Sequence, residues 1–404
     1  MFAKLKNLGP GLLFAGAAIG VSHLVQSTRA GADFGLGLLW ALFLIHLFKY
    51  PFFQYGPRYA TATGESLLDG YKKLGKGILI TYFILSLATM FTIQTAVTIV
   101  TAGIASALFG GFISIKIWTI IILLICVGLL IIGKFRLLDK LMKLIIIVLS
   151  ISTIVAVGIA LFNNTTTLSF SQVLPANPIE IAFLIAFMGW MPAPLDIAVW
   201  QSLWAIEKNK DTNKYNTKSA LFDFNIGYVS TIILGIGFVL LGTLVMYNSG
   251  ETFSNSAGVF SGQLINMYTS SLGNWAYLII GIAAFTTMFS TTLTTLDASP
   301  RAMAKASQLL FKKTSKLNYV FWISLLVAGT IFIFFFFASE MGLLIKIATI
   351  LSFVTAPFYA LISYKLISSE NTPKEWRPST QMHILSWLGI AFLTGFSVWY
   401  LTTL

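Results

Sequence analysis

Six side chains stand where chemistry is expensive: Ser22, His23, Lys49, Met188, Met191 and Asp196 all lie inside long apolar runs. A hydroxyl, an imidazole, a thioether and a carboxylate brought together could hold a cation or pass a proton. An ammonium near free backbone N–H groups could instead hold an anion. A lysine midway along an apolar span costs roughly 3 kcal/mol if nothing compensates it. Lys49 therefore either pairs with an acid such as Asp196 or supplies a fixed positive charge in place of a coupling cation.

Two interrupted stretches have to position these groups. The first runs from Gly9-Pro10-Gly11 to Gly20-Val21-Ser22-His23 and on to Gly35, with Gln26, Ser27, Thr28 and Arg29 in its second half. A lipid-facing helix would not carry that polar run, so this half must face protein or a water-filled cavity. The second is Met188-Gly189-Trp190-Met191-Pro192-Ala193-Pro194, where two prolines stop a helix in the middle of an apolar run. Two broken spans in corresponding halves point to the binding site of a secondary transporter. Where each half-helix restarts, unpaired N–H groups and a positive dipole end of about half a charge favour an anion. The expected solute site is Gly20, Ser22, His23, Met188, Met191, Ala193 and Asp196, with Lys49 and Asp196 compensating charge. The alternative is a divalent cation, Mg²⁺ or Mn²⁺, on His23, Met191 and Asp196. Plainer roles stand beside these: a packing histidine, core methionines, and an aspartate that caps the outgoing half-helix. Arg29 and Asp33, four apart, form a rim ion pair, and Asp297 and Arg301 a structural or gating one.

The frame follows from composition. Of 404 residues 57% are hydrophobic and only 10% charged, too few polar groups to cover a soluble globule. Runs of about 20 apolar residues, the length of a bilayer crossing, give eleven spans: 10–36, 38–58, 77–108, 113–133, 141–162, 178–205, 219–247, 274–299, 318–339, 343–364 and 382–403. Alternate connections hold 22 of the 26 Lys and Arg residues, while 163–177 and 248–273 hold none. That bias places the N-terminus in the cytoplasm and the C-terminus outside an inner or plasma membrane. The net charge of +12 is then a topology signal, and no nucleic-acid partner is expected. A lone Cys126 excludes an intrachain disulfide and a cysteine metal cluster. No nucleophile, base and oxyanion-donor set is legible, which argues against an enzyme; no cofactor and no protein partner are expected. The chain reads as one all-α membrane domain, 1–404, with repeat one at 9–162, repeat two at 178–367 and an extra peripheral or dimer-contacting helix at 382–403. A non-transporting sensor or subunit on the same frame is the reading from another class.

Leu8-Gly9-Pro10-Gly11 with Ala30-Gly31, the connection Thr63-Gly64-Glu65-Ser66-Leu67, Met191-Pro192 and the Ser/Thr-rich stretch ending Thr294-Thr295-Leu296-Asp297 together resemble the Nramp family of divalent-metal transporters. The resemblance covers nearly the whole chain in order and spacing. It implies a LeuT-type core of inverted repeats, spans 1–5 and 6–10, working by alternating access. The family's span-1 break reads Asp-Pro-Gly-Asn, whose carboxylate and amide bind the metal; the same places here are Gly20, Val21, Ser22 and His23. Its span-6 motif Met-Pro-His is Met191-Pro192-Ala193 here, and the acids it uses in span 3 are missing between Asp69 and Asp139. The resemblance carries over the scaffold; the departures imply a changed substrate or coupling ion.

Overall fold

The computed structural model describes residues 8–109, 112–163, 168–212, 215–247, 253–254, 257–274, 277–311, 317–337 and 341–403, and these contain helices and connections without a strand. In chain order the helices are α1 (Pro10–Ala18), a wide π-helical segment (Val21–Ser27), α2 (Thr28–Phe34), α3 (Leu39–Thr63), α4 (Leu67–Leu74), α5 (Lys76–Phe109), α6 (Ile115–Phe162), α7 (Pro178–Trp190) and α8 (Ile197–Thr212). They continue with α9 (Thr217–Val245), α10 (Ala257–Leu272), α11 (Tyr277–Phe311), α12 (Leu317–Phe337), α13 (Met341–Ser368) and α14 (Thr380–Leu401).

Local chemistry sets the ends. Pro10 and Pro178 occupy the first turns of α1 and α7, where a missing N–H is harmless. Asn177 accepts from Glu180 N at 2.9 Å to cap α7. Gly64, at φ +74°, closes α3, and two residues later Ser66 and Asp69 form a reciprocal capping box that opens α4.

Among the described residues, eight stretches are long and apolar enough to cross a membrane, and the chain is an integral membrane protein. Spans 38–58, 178–205 and 274–299 of the sequence reading are not among the eight. Each carries polar content: His46 and Lys49 in α3, the gap between α7 and α8, and the hydroxyl run in α11. Two other boundaries differ. The sequence reading ended span 4 at 133 and began span 5 at 141, whereas α6 is helical throughout its 48 residues. The segment Lys134 to Lys143 has no glycine, proline or asparagine to stop it. The two apolar halves, Ile115–Ile132 and Leu144–Phe162, still count as separate candidate spans. The connection 248–273, read as a plain loop, contains α10, whose Phe260, Leu264 and Ile265 are buried.

Glycines set the closest approaches. A Cβ on Gly11 would lie 2.1 Å from Asp223 O, and one on Gly227 2.1 Å from Gly11 O, so α1 and α9 touch backbone to backbone. Gly31 against Val239 O and Gly242 against Thr28 O, again 2.1 Å, repeat this between α2 and α9. Both halves of the first interrupted span are thus pinned to one continuous helix. The second differs: Gly189 of α7 lies against Thr349 O of α13, and Gly56 of α3 against Ala198 O of α8. Its halves are held by different helices. Asp223 fixes the start of α1, accepting from Gly9 N at 3.1 Å and Gly11 N at 2.9 Å while Tyr215 donates to it at 2.7 Å. The extra helix α14 packs on α3, with Tyr55 Oη and Ser386 Oγ 2.6 Å apart and Phe48 on Phe392 at 4.7 Å between centroids.

Candidate functional site

In the first break, helix stops at Ala18 and the backbone turns out of helical geometry at Gly20 (φ −138°, ψ −121°) before winding on as the π segment. The carbonyl end of α1 is satisfied locally. Ser22 donates to Ala18 O, and His23 Nδ1 lies 2.7 Å from Ser22 Oγ and 3.2 Å from Ala18 O. His23 Nε2 lies 2.9 Å from Thr231 O on α9. A carbonyl only accepts, so Nε2 carries the proton and faces α9. Both ring nitrogens of the fully buried His23 are therefore engaged with protein. Gly20 is crowded: a Cβ there would sit 2.5 Å from Thr291 Oγ1 and 3.0 Å from Thr291 Cβ. Thr291, which donates to Gly16 O at 3.1 Å, fills the space that a longer side chain at position 20 would need.

In the second break, α7 ends at Trp190 and α8 begins at Ile197, with Met191–Asp196 between. Its carbonyl end is satisfied from a distance. The fully buried Lys49 of α3 donates its ammonium to Met188 O at 2.8 Å, Gly189 O at 2.7 Å and Ala193 O at 3.1 Å. An ammonium has three N–H groups, and all three are used. A full positive charge thus sits on the negative end of the half-helix. Asp196 is 6% exposed, immediately precedes α8, and faces its own amide and that of Ile197, the position of an N-cap. It feels the Lys49 charge without a direct ion pair, and its Oδ1 has no hydrogen-bond partner. Met191 is fully buried with its sulfur 4.0 Å from Ser27 Oγ, the direct side-chain contact between the breaks; Met188 contributes its carbonyl.

Between the breaks lies a cavity of about 20 Å³, walled by Ala17, Ala18, Val21, Ser22, Ile93, Val97, Trp190, Ala193, Pro194, Ile197, Trp200, Thr291 and Thr295. That is room for one water and too little for an organic solute. Of the sequence-expected residues, Ser22 and Ala193 line it; Gly20, His23, Met188, Met191, Asp196 and Lys49 are not part of its lining. Thr291, Thr295, Trp190 and Trp200 line it without having been singled out, although the hydroxyl run ending at Asp297 marks where two of them come from. Among the described residues, no group of three or more His, Cys, Asp or Glu side chains is arranged to hold a metal.

A larger cavity, about 790 Å³, opens at the end of the bundle that carries the basic connections. Its walls include Glu65, Asp69, Glu207, Lys210, Arg301, Lys305 and Tyr319. Lys305 of α11 meets Asp69 of α4 at 2.7 Å. Burial pushes the Asp69 carboxyl up, but Lys305 and Ser66 outweigh it and hold the group below the usual carboxylate range. Asp297 and Arg301 pair at 2.6 Å, and Tyr319 donates to Asp297 at 3.0 Å. The Arg29–Asp33 pair expected at the opposite rim is not closed. The two charges act on each other, but Asp33 is exposed and Arg29 Nε is unpartnered. Water solvates an exposed carboxylate as well as an arginine does, at less cost in side-chain entropy.

This arrangement of two helix gaps beside a small central cavity has relatives. The family model described as "Nramp: Natural resistance-associated macrophage protein-like" matches residues 11–403. A curated relative from Pasteurella multocida (strain Pm70), "Uncharacterized protein PM0681", is 36% identical over 405 residues, covering 99% of this chain and 92% of its own. Among solved structures, the Eremococcus coleocola manganese transporter in complex with an aromatic bis-isothiourea substituted compound is similar at a TM-score of 0.72 and 13% identity, over 98% of this chain and 86% of that one. MhsT in complex with L-phenylalanine is similar at a TM-score of 0.67 and 14% identity, over 98% of both chains. The fold is therefore LeuT-like, and the match over nearly the whole length shows that the chain belongs to the Nramp family, whose members are transporters and not enzymes.

Proposed function

We propose that this chain is a secondary transporter that crosses the membrane eleven times, with spans 1 and 6 interrupted, and carries a small polar or anionic solute by alternating access instead of Mn²⁺ or Fe²⁺. In this reading 9–162 and 178–367 are the inverted repeats, the N-terminus is cytoplasmic and the C-terminus outside. The stops at Ala18 and Trp190 support the interrupted spans, and the basic connections support the orientation.

One observation carries the substrate reading: the ammonium of Lys49 already occupies the carbonyl end of the span-6 break. In transporters with broken helices, such carbonyl ends are where coupling cations are held. A divalent ion about 4 Å from that ammonium would be repelled by roughly 8 kcal/mol at an effective dielectric constant of 20. The cavity wall adds to this, since it offers hydroxyls and two indoles but no carboxylate, and the imidazole of His23 is engaged elsewhere.

Purified protein in liposomes tests the reading. The expected result is no Mn²⁺ or Mg²⁺ uptake above that of empty liposomes, together with saturable counterflow of one member of a panel of labelled small carboxylates, phosphate and amino acids. Saturable Mn²⁺ uptake with no response to small anions would overturn the substrate class. No flux of any solute would leave the sensor or subunit role.

A further inference from the structure

The fully buried Gln201 of α8 leaves both polar atoms of its amide, Oε1 and Nε2, without a hydrogen-bond partner. A buried amide with neither atom paired is rare and costly. Its register on the helix tells which surface it faces. Ile197, Gln201, Trp204 and Lys208 follow at spacings of four, three and four, and so form one stripe of α8. Both ends of that stripe lie along α1, on which α8 packs. Ile197 shares the wall of the central cavity with Ala17 and Ala18, and Lys208 Cε would lie 3.0 Å from a Cβ on Gly9, at the start of α1. Gln201 therefore stands over α1, one turn from the cavity and next to Trp200, which also walls it. Pro10–Ala18 has no polar side chain to offer an amide. Trp204 is committed elsewhere, its Nε1 donating to Asp297 at 3.4 Å. The hydroxyls of the cavity wall donate within the protein as well: Ser22 to Ala18 O, Thr291 to Gly16 O at 3.1 Å and Thr295 to Gln94 Oε1 at 2.7 Å.

We infer that Gln201 is a solute-contacting residue, and that the solute it recognises is a small carboxylic acid bearing a hydroxyl or an ammonium group. The inference rests on the small-solute reading above and narrows it. An amide carries both a donor and an acceptor, and here both are unused. A simple carboxylate only accepts, so it would pair Nε2 and leave Oε1 orphaned. An acid with an O–H or N–H group beside its carboxylate pairs both, and a site that has lost water gains most from a ligand that leaves nothing unpaired. The central cavity holds one water at about 20 Å³. Entry of such a solute must widen it, and on the side where α8 meets α1 the first polar side chain reached is Gln201.

Heat denaturation of the purified full-length protein in the presence of glycine, lactate, acetate or propionate tests this. Acetate and propionate match glycine and lactate in size and lack the donor. The expected result is that glycine or lactate raises the unfolding midpoint saturably, while its match needs at least about tenfold more for the same rise. Gln201→Met, similar in length without the amide, is expected to raise the midpoint of the ligand-free protein, because it removes an orphaned group, and to weaken binding of the responsive acid about tenfold. A lowered ligand-free midpoint in Gln201→Met would show that the protein itself satisfies the amide. Unchanged affinity in that variant would show that the amide meets water only. Either result overturns the proposal, as does an equal response to an acid and its donor-free match. A wild type that responds to acetate or propionate alone refutes the role of Gln201 and leaves the small-anion reading standing, whereas no response to any of these acids, together with saturable Mn²⁺ uptake in liposomes, refutes both.

Discussion

The two breaks solve the same problem by different means. Each leaves the carbonyl end of a half-helix buried away from water, and each must satisfy it. At the first break the donor is neutral and local: Ser22 folds back on Ala18 O, four residues away. At the second the donor is charged and distant, Lys49 reaching across from another helix to three carbonyls. The anchoring differs in the same sense. Both halves of the first span are held by α9, while α7 rests on α13 and α8 on α3. The two halves of the first span thus share one neighbour, while those of the second are held by different helices.

Removing the charged cap should separate the two most strongly. Lys49→Met leaves three acceptors unpaired and is expected to cost about 4 kcal/mol, the scale for breaking a buried charged contact; denaturant unfolding in detergent measures it, and a loss below 1 kcal/mol would mean the cap is dispensable. Restoring the carboxylate that the family resemblance implies at the first break comes next. Gly20→Asp is expected to cost about 3 kcal/mol through overpacking against Thr291, with part recovered in Gly20→Asp/Thr291→Ala; equal losses in the single and double variants would show that Thr291 is not the obstacle. The neutral cap is worth less. His23→Leu removes the bond to Thr231 O and leaves Ser22 without its neighbour, and should cost about 2 kcal/mol in denaturant unfolding. Smallest is the Asp69–Lys305 pair, which belongs to neither break. Because Asp69 is held below its ordinary value of 3.8, its stabilisation is present above that pH and is lost as pH falls through the lower folded value. Lys305→Met should remove about 1 kcal/mol at neutral pH and flatten stability against pH in that acid range alone.

Much of this was legible in the sequence. Gly20 and the prolines at 192 and 194 mark both breaks because glycine and proline are poor in helix, and Lys49 announces itself by its cost in an apolar span. The capping box at Ser66 and Asp69 is a local pattern and could be read as one. What could not be read depends on distant contacts. Nothing local says that Thr291 stands against Gly20, or that Lys49 reaches the carbonyls of α7 in preference to pairing directly with Asp196. The continuity of α6 is hard to read because clustered charge usually marks a connection, whereas Lys134 to Lys143 is mostly Lys, Arg, Leu and Met, all good helix formers.

The central claim is that Lys49 stands in for a cation at the span-6 break, and its most direct test is cation binding to purified wild type and Lys49→Ala by isothermal titration with Mn²⁺ and Na⁺. The account predicts no binding to wild type and saturable binding of one cation to Lys49→Ala, with a matching rise in thermal stability as the vacated carbonyls regain a positive charge. Saturable Mn²⁺ binding to wild type that is lost in Lys49→Ala would contradict it.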